Sequence, residues 1–232
     1  MREIVLDTET TGLDPTQGHR IIEIGAVELW NQMSTGKTYH QYINPQRSMP
    51  EEAFAVHGLS EAFLSDKPIF EKIAQEFLDF VQDSKMVIHN ASFDMRFLNH
   101  ELSNLNLRTL PNDQAIDTLM IARRKFPGAS VSLDSLCRRF NIDNSMRNLH
   151  GALLDSEILA EVYLELTGGR QPDFELGQSI TPLKNDGQAQ NQGSVQIIRP
   201  RALTSRLTQE EKDAHNAFVK TLGNEALWKT YQ

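Results

Sequence analysis

Hydrophobic positions along the chain change their spacing several times, and each change marks an element. Ile4, Val5 and Leu6 form an unbroken apolar run that ends in Asp7 and predicts a short strand over residues 3–7. Thr11-Gly-Leu-Asp-Pro15 reads as a turn. Residues 21–30 form a second strand, in which Gly25 and Ala26 permit close packing, and residues 38–43 alternate as a third, closed by Asn44-Pro45. Three strands this early predict an antiparallel meander. The period then lengthens: Ile69, Phe70, Ile73, Ala74, Phe77, Leu78 and Val81 share one helical face. Residues 86–89 are short and apolar and predict a buried strand, with parallel pairing open. A helix over 94–103 buries Phe97, Leu98 and Leu102. Another follows Ile116-Asp117, runs through Leu119 and Ala122 and stops at Pro127-Gly128. Ser132 is the expected N-cap of a helix carrying Leu133, Leu136 and Phe140. A long helix over 153–166 is closed by Gly168-Gly169.

After Gly169 the chain becomes rich in Gln, Asn, Gly, Asp and Pro, which predicts a flexible linker over 170–194 behind a domain of residues 1–169. Residues 195–198 could pair as a strand, and Thr208-x-x-Glu211 is a capping box before a helix ending near Gly223. This last segment, 195–232, is too short to build a core of its own. Phe218, Leu222, Leu227 and Trp228 are expected to fold onto a partner.

Composition narrows the setting. A hydrophobic content of 39% in 232 residues supports one good-sized core plus an appendage, and no run of about 18 apolar residues offers a membrane span. The charged start, Met-Arg-Glu, lacks the architecture of a signal peptide, and the one cysteine, Cys137, lies among apolar neighbours and permits no internal disulfide. A cytoplasmic location is expected. A net charge of -8 argues against a broad electrostatic grip on nucleic acid, but bound cations would invert the sign of an acidic pocket.

Such a pocket is predicted. Asp7 and Glu9 alternate onto one face at a strand end. Asp94 follows the buried strand, close to a helix start, where it could equally be an N-cap. His89 and Asn90 stand at the strand's C-terminal edge, where α/β folds place ligands. Asp155 sits among Ala152, Leu153, Leu154, Ile158 and Leu159, and a carboxylate so placed needs a partner or a metal. His150 precedes that helix on a loop. Four carboxylates sharing a site would raise one another's pKa and take up protons unless cations held them. Two hard divalent cations would clamp a scissile phosphate, and a histidine, with an ordinary pKa of about 6.5, could accept a proton from the attacking water. Nothing suggests a covalent nucleophile.

These segments resemble a known family. Ile4-Val-Leu-Asp7-Thr-Glu9-Thr-Thr-Gly12, His89-Asn-Ala-Ser-Phe-Asp94 and His150-Gly-Ala-Leu-Leu-Asp155 are similar to the three motifs of the DEDDh 3′→5′ exonucleases, and the likeness runs to Gly169. It implies an α/β, ribonuclease-H-like fold with a mixed five-stranded sheet flanked by helices. It also implies two divalent cations, Mg²⁺ or Mn²⁺, held by Asp7, Glu9, Asp94 and Asp155, with Asp7 bridging and His150 as general base. Thr10, Val56, His57, Asn90 and Phe93 match positions lining the pocket for the terminal nucleotide of a DNA 3′ end. Within this family the chain is most similar to the proofreading members that serve replicative polymerases. That likeness implies a sliding-clamp motif at Gln171-Pro-Asp-Phe174-Glu-Leu176, a polymerase catalytic subunit bound by the tail, and room for a small, theta-like stabilising subunit. Two rivals stand beside this reading: a same-fold RNA 3′ exonuclease, and a non-catalytic adaptor between polymerase and clamp.

Overall fold

A computed structural model describes residues 1–147, 149–168 and 208–221. The chain divides into two units, Met1–Gly177 and Gln178–Gln232. In the first, β1 (Arg2–Thr10), β2 (Ile21–Trp30) and β3 (Met33–Tyr42) lead into two short helices, α1 (Glu51–His57) and α2 (Glu61–Leu64). Then come α3 (Phe70–Val81), β4 (Lys85–Ile88), α4 (Ala91–Asn104), β5 (Ala115–Asp117), α5 (Thr118–Lys125), α6 (Leu133–Phe140) and α7 (Ala152–Leu166). The five strands form one sheet in the order β3-β2-β1-β4-β5. The three N-terminal strands pair antiparallel, as the meander predicts, and β4 and β5 add in parallel.

The unbroken apolar run of β1 has a simple cause: both faces of the sheet are covered. Ile4 and Leu6 point into a core with Ile24, Ala26, Met86 and Ile88, against Phe70, Ile73 and Phe77 of α3 and Phe97 and Leu98 of α4. Val5 points the other way, with Val27, Leu29 and Val87, against Leu136 and Cys137 of α6 and Ile158, Leu159 and Val162 of α7. Alternation along β1 therefore sends Asp7 and Glu9 to the α7 side of the sheet and Thr8 to the α4 side.

Several local expectations change. β3 begins at Met33, five residues before the alternation does, because Asn31 and Gln32 both take positive φ (50° and 65°) and close a tight hairpin. Its first half is exposed and polar, so backbone pairing with β2 rather than a buried face sustains it. The helices α1 and α2 go unpredicted, being short and turned largely to solvent. Helix α4 starts at Ala91 after Asn90 (φ 68°), so Asp94 is a buried first-turn residue rather than an N-cap. The C-cap of α7 is Thr167, one residue before the glycine pair. Ser132 caps α6 as expected, accepting from the Ser135 N–H.

In the second unit the capping box is present: Thr208 N–H donates to Glu211 Oε2 (2.8 Å) and Glu211 N–H to Thr208 Oγ1 (3.2 Å) at the start of α8 (Gln209–Thr221). The expected strand over 195–198, the motif residues Gln171, Phe174 and Leu176, and Leu222, Leu227 and Trp228 lie outside the described residues. Among the described residues no helix is long and apolar enough to cross a membrane.

Candidate active site

Parallel pairing of β1 with β4 brings the C-terminal ends of both strands to one edge of the sheet, next to the antiparallel β2. Here the strand order turns, a position where α/β sheets gather ligands. Asp7 and Glu9 leave β1 on the α7 side. Thr8, on the other, donates its hydroxyl to Asp94 Oδ1 (2.6 Å) and so ties the first turn of α4 to the strand.

The third contribution depends on a glycine. Gly25 pairs with Asp7 across β1 and β2. A Cβ added there would meet the backbone of Ala152 and Leu153 well under 3.0 Å. The first turn of α7 thus lies directly on bare strand backbone, locked by the Ser156 hydroxyl donating to Gly25 O (2.9 Å). That seating carries Asp155, itself 3% exposed, in beside the β1 carboxylates. His150, on the preceding loop, donates its backbone N–H to Val56 O (3.1 Å), which anchors the loop to α1. Glu9, His150 and Asp155 present ligand atoms all within 4.8 Å of one another.

Electrostatics report the crowding. Burial, then the charges of Asp94, Glu9 and Asp155, push Asp7 well above the ordinary carboxylate range, against the pull of Arg147. Burial and then Asp155 raise Glu9 to about 8. Burial raises Asp94 to about 7 despite the Thr8 hydrogen bond. Asp155 differs. Burial disfavours its charge, but hydrogen bonds from His150 and Arg147 prevail and hold it below the usual value. Four carboxyls from β1, α4 and α7, three of which resist ionisation on bare protein, suit a hard divalent cation that would supply the missing positive charge.

Beside the carboxylates opens a cavity of about 540 Å³, whose lining includes Glu9, Thr10, Val56, His57 and Phe93. Its volume fits a small ligand the size of a nucleotide. His57 is 5% exposed. Its Nδ1 accepts from the Leu59 N–H (2.9 Å), so the neutral ring carries its proton on Nε2, and Nε2 has no hydrogen-bond partner among the described residues. Burial, together with nearby His150, keeps the ring's pKa low.

The profile of a protein family described as Exonuclease matches residues 4–163, a span that holds every one of these groups. The chain belongs to this exonuclease family. Members of the DEDDh kind require divalent metal ions, which agrees with the donor set above. A DNA polymerase III subunit epsilon of Rickettsia prowazekii (strain Madrid E) is 53% identical over 222 residues, covering 94% of this chain and 96% of that one. The subunit of the same name from Escherichia coli (strain K12) is 44% identical over 242 residues, covering 98% and 97%. Among solved structures, Exonuclease X in complex with 5′ overhanging duplex DNA superposes with a TM-score of 0.57 at 28% identity, over 71% of this chain and 90% of that one.

For this exonuclease, Asp7, Glu9, Asp94, Asp155 and His150 come to one end of the sheet, and Thr10, Val56, His57 and Phe93 line one cavity. Asn90 is not among its lining residues; it is exposed at the start of α4. Sequence reasoning passes over three groups: Thr8 as the tie to Asp94, Gln17 and His19 on the cavity wall, and Arg147 against Asp155. For Thr8 a signal exists in its place between two acids at a strand end. Arg147 offers only its position three residues before His150.

Proposed function

We propose that this 3′→5′ exonuclease proofreads for a replicative DNA polymerase, removing nucleoside 5′-monophosphates from a DNA 3′ end with two divalent cations, Mg²⁺ or Mn²⁺. The observation that carries the reading is the meeting of four carboxyls from β1, α4 and α7, three of them resisting ionisation, beside a nucleotide-sized cavity. Asp7, Glu9, Asp94 and Asp155 would hold the cations, which polarise the phosphodiester and acidify a water when bound. His150, on the loop before α7 that is anchored to Val56 of the cavity wall, would take the proton from that water. Val56 and Phe93 offer apolar contact to the terminal base, and the Nε2–H of His57 offers a donor to the nucleotide. Thr10 helps shape the wall, its hydroxyl turned to Gly12 O (2.6 Å).

Residues 170–194 would act as a linker, with Gln171, Phe174 and Leu176 engaging the sliding clamp, and residues 195–232 as the contact with the polymerase catalytic subunit. A small, theta-like stabilising subunit is compatible with this arrangement. Work at a replication fork sets the cytoplasm as its location. The relatives named as polymerase III subunits match over 94% and 98% of the chain, tail included, which favours the polymerase-bound reading over a free-standing RNA exonuclease. The complete set of acids disfavours an inert adaptor. Digestion of 3′-mismatched primers with Mg²⁺ or Mn²⁺ tests the proposal. Asp7→Ala with Glu9→Ala should abolish cleavage and leave polymerase capture intact. A strong preference for RNA, or an inactive wild type, refutes the reading.

A further inference from the structure

A positive charge already lies among the site's acids. Arg147 Nε stands 2.5 Å from Asp155 Oδ1 and Nη2 stands 2.8 Å from Asp155 Oδ2, so both oxygens of that carboxylate are engaged. Nη1 lies 2.8 Å from Asp134 Oδ1. Nη2 also approaches His150 Nδ1 at 2.9 Å. The Arg147 side chain is 8% exposed and that of Asp155 4%, whereas that of Asp134 is 49% exposed. The guanidinium therefore bridges a buried acid of the site to an acid at its rim.

A divalent cation ligated by Asp155 would sit about 2.0–2.6 Å from a carboxylate oxygen, beside a guanidinium held to the same group. Two cations so close repel strongly at low dielectric. One must give way, and Arg147 has a second anion to move towards. Asp134 is in the first turn of α6 and is steadied by the Asn144 side-chain amide (3.0 Å). The move also affects His150. Nη2 lies 2.9 Å from Nδ1 and 3.4 Å from Nε2, against the ring, and the ring stands 3.4 Å from Asp155 Oδ2. Transfer of the guanidinium to Asp134 frees the ring.

We propose that Arg147 is a built-in counter-ion of the cation site: it holds Asp155 and His150 in the metal-free chain and shifts onto Asp134 when a divalent cation takes Asp155. The inference rests on the reading that these carboxylates bind divalent cations. Arg147 is then a positioning residue that trades affinity for order, weakening cation binding while keeping the metal-free site assembled.

The test is Mn²⁺ affinity of the full-length chain, read by the electron paramagnetic resonance of free Mn²⁺, with thermal stability measured in chelator. Arg147→Gln should bind Mn²⁺ on the order of ten-fold tighter and melt lower without metal. Asp134→Asn should bind Mn²⁺ several-fold more weakly, because the displaced guanidinium loses its destination. Arg147→Lys, keeping the charge but not the fork, should fall between wild type and Arg147→Gln. A purely structural role would move Arg147→Gln and Asp134→Asn in the same direction. Weaker or unchanged binding in Arg147→Gln, or unweakened binding in Asp134→Asn, overturns the proposal. If Arg147→Gln fails to fold, Asp134→Asn and Arg147→Lys decide alone. A wild type that binds no Mn²⁺ removes the cation reading and this proposal with it, whereas binding that ignores both substitutions removes only the latter.

Discussion

Gly25→Ala adds a single methyl group at the point where α7 rests on the sheet, and its effect can be worked from the contact it creates. The new Cβ would lie well under 3.0 Å from backbone atoms of Ala152 and Leu153, where ordinary contact begins at 3.4 Å. Backbone cannot rotate aside as a side chain can, so the first turn of α7 must retreat by roughly 1 Å, with overpacking of this kind costing about 1–3 kcal/mol. The retreat also lengthens the Ser156–Gly25 hydrogen bond, 2.9 Å in the intact chain. Asp155 rides on that turn and His150 on the loop before it, while Asp7 stays on β1. A misplacement of this size in a reacting assembly costs about 100-fold in rate. The assay is single-turnover hydrolysis of a 3′-mismatched primer at saturating Mg²⁺, with urea unfolding alongside. Ala26→Gly is the control, because Ala26 faces the α3–α4 core. It should lose about 1 kcal/mol and little activity. If Gly25→Ala keeps its cleavage rate within a few-fold of wild type, the seating of α7 on bare strand is not what places Asp155.

Two further outcomes follow from the site. In chelator the folded chain keeps protons on Glu9 and Asp94 up to about 8 and 7, whereas the unfolded chain releases them at the ordinary values of 4.5 and 3.8. The folded state therefore binds more protons across that window, so metal-free stability should fall as pH rises from about 4 to about 8, by up to about 1.4 kcal/mol per pH unit for each proton. Saturating Mg²⁺ should flatten this slope in urea titrations, and a stability that rises with pH in chelator would contradict the crowding. Separately, His57→Ala removes an Nε2–H that has no partner among the described residues. It should raise KM for the primer end about 5- to 10-fold with kcat little changed, since a single hydrogen bond contributes about 1 kcal/mol; an effect confined to kcat would place His57 in the chemistry instead.

Much of the architecture was legible because burial leaves a period. β1, β2 and α3 carry apolar residues wherever the two cores need them, so run, alternation and helical spacing each pointed to the right element. Where an element buries one side chain or none, as in α1, α2 and the first half of β3, the sequence shows no such period. The site follows the same division. Asp155 attracts notice as an acid in an apolar row, and Asp7 with Glu9 as acids closing a buried strand. The bond from Thr8 to Asp94, the His57 nitrogen left without a partner among the described residues and the grip of Arg147 on Asp155 arise only from tertiary placement. Only Thr8 leaves a trace in the sequence, its place between two acids; for His57 and Arg147 no spacing in one dimension encodes the contact.

The distribution of the carboxylates along the chain bears on how the enzyme comes into being. Asp7 and Glu9 belong to the first strand and Asp155 to the last helix of the described part of the first unit. Contacts of such sequence separation form late, because the intervening chain must be ordered before they close. A nascent chain whose α7 is still inside the ribosome has its first two acids exposed but cannot assemble the set. Cutting ability then appears only when the fold is nearly finished, because a half-folded copy lacks the assembled acid set. Chain order alone thus ties the assembly of the acid set to completion of the fold.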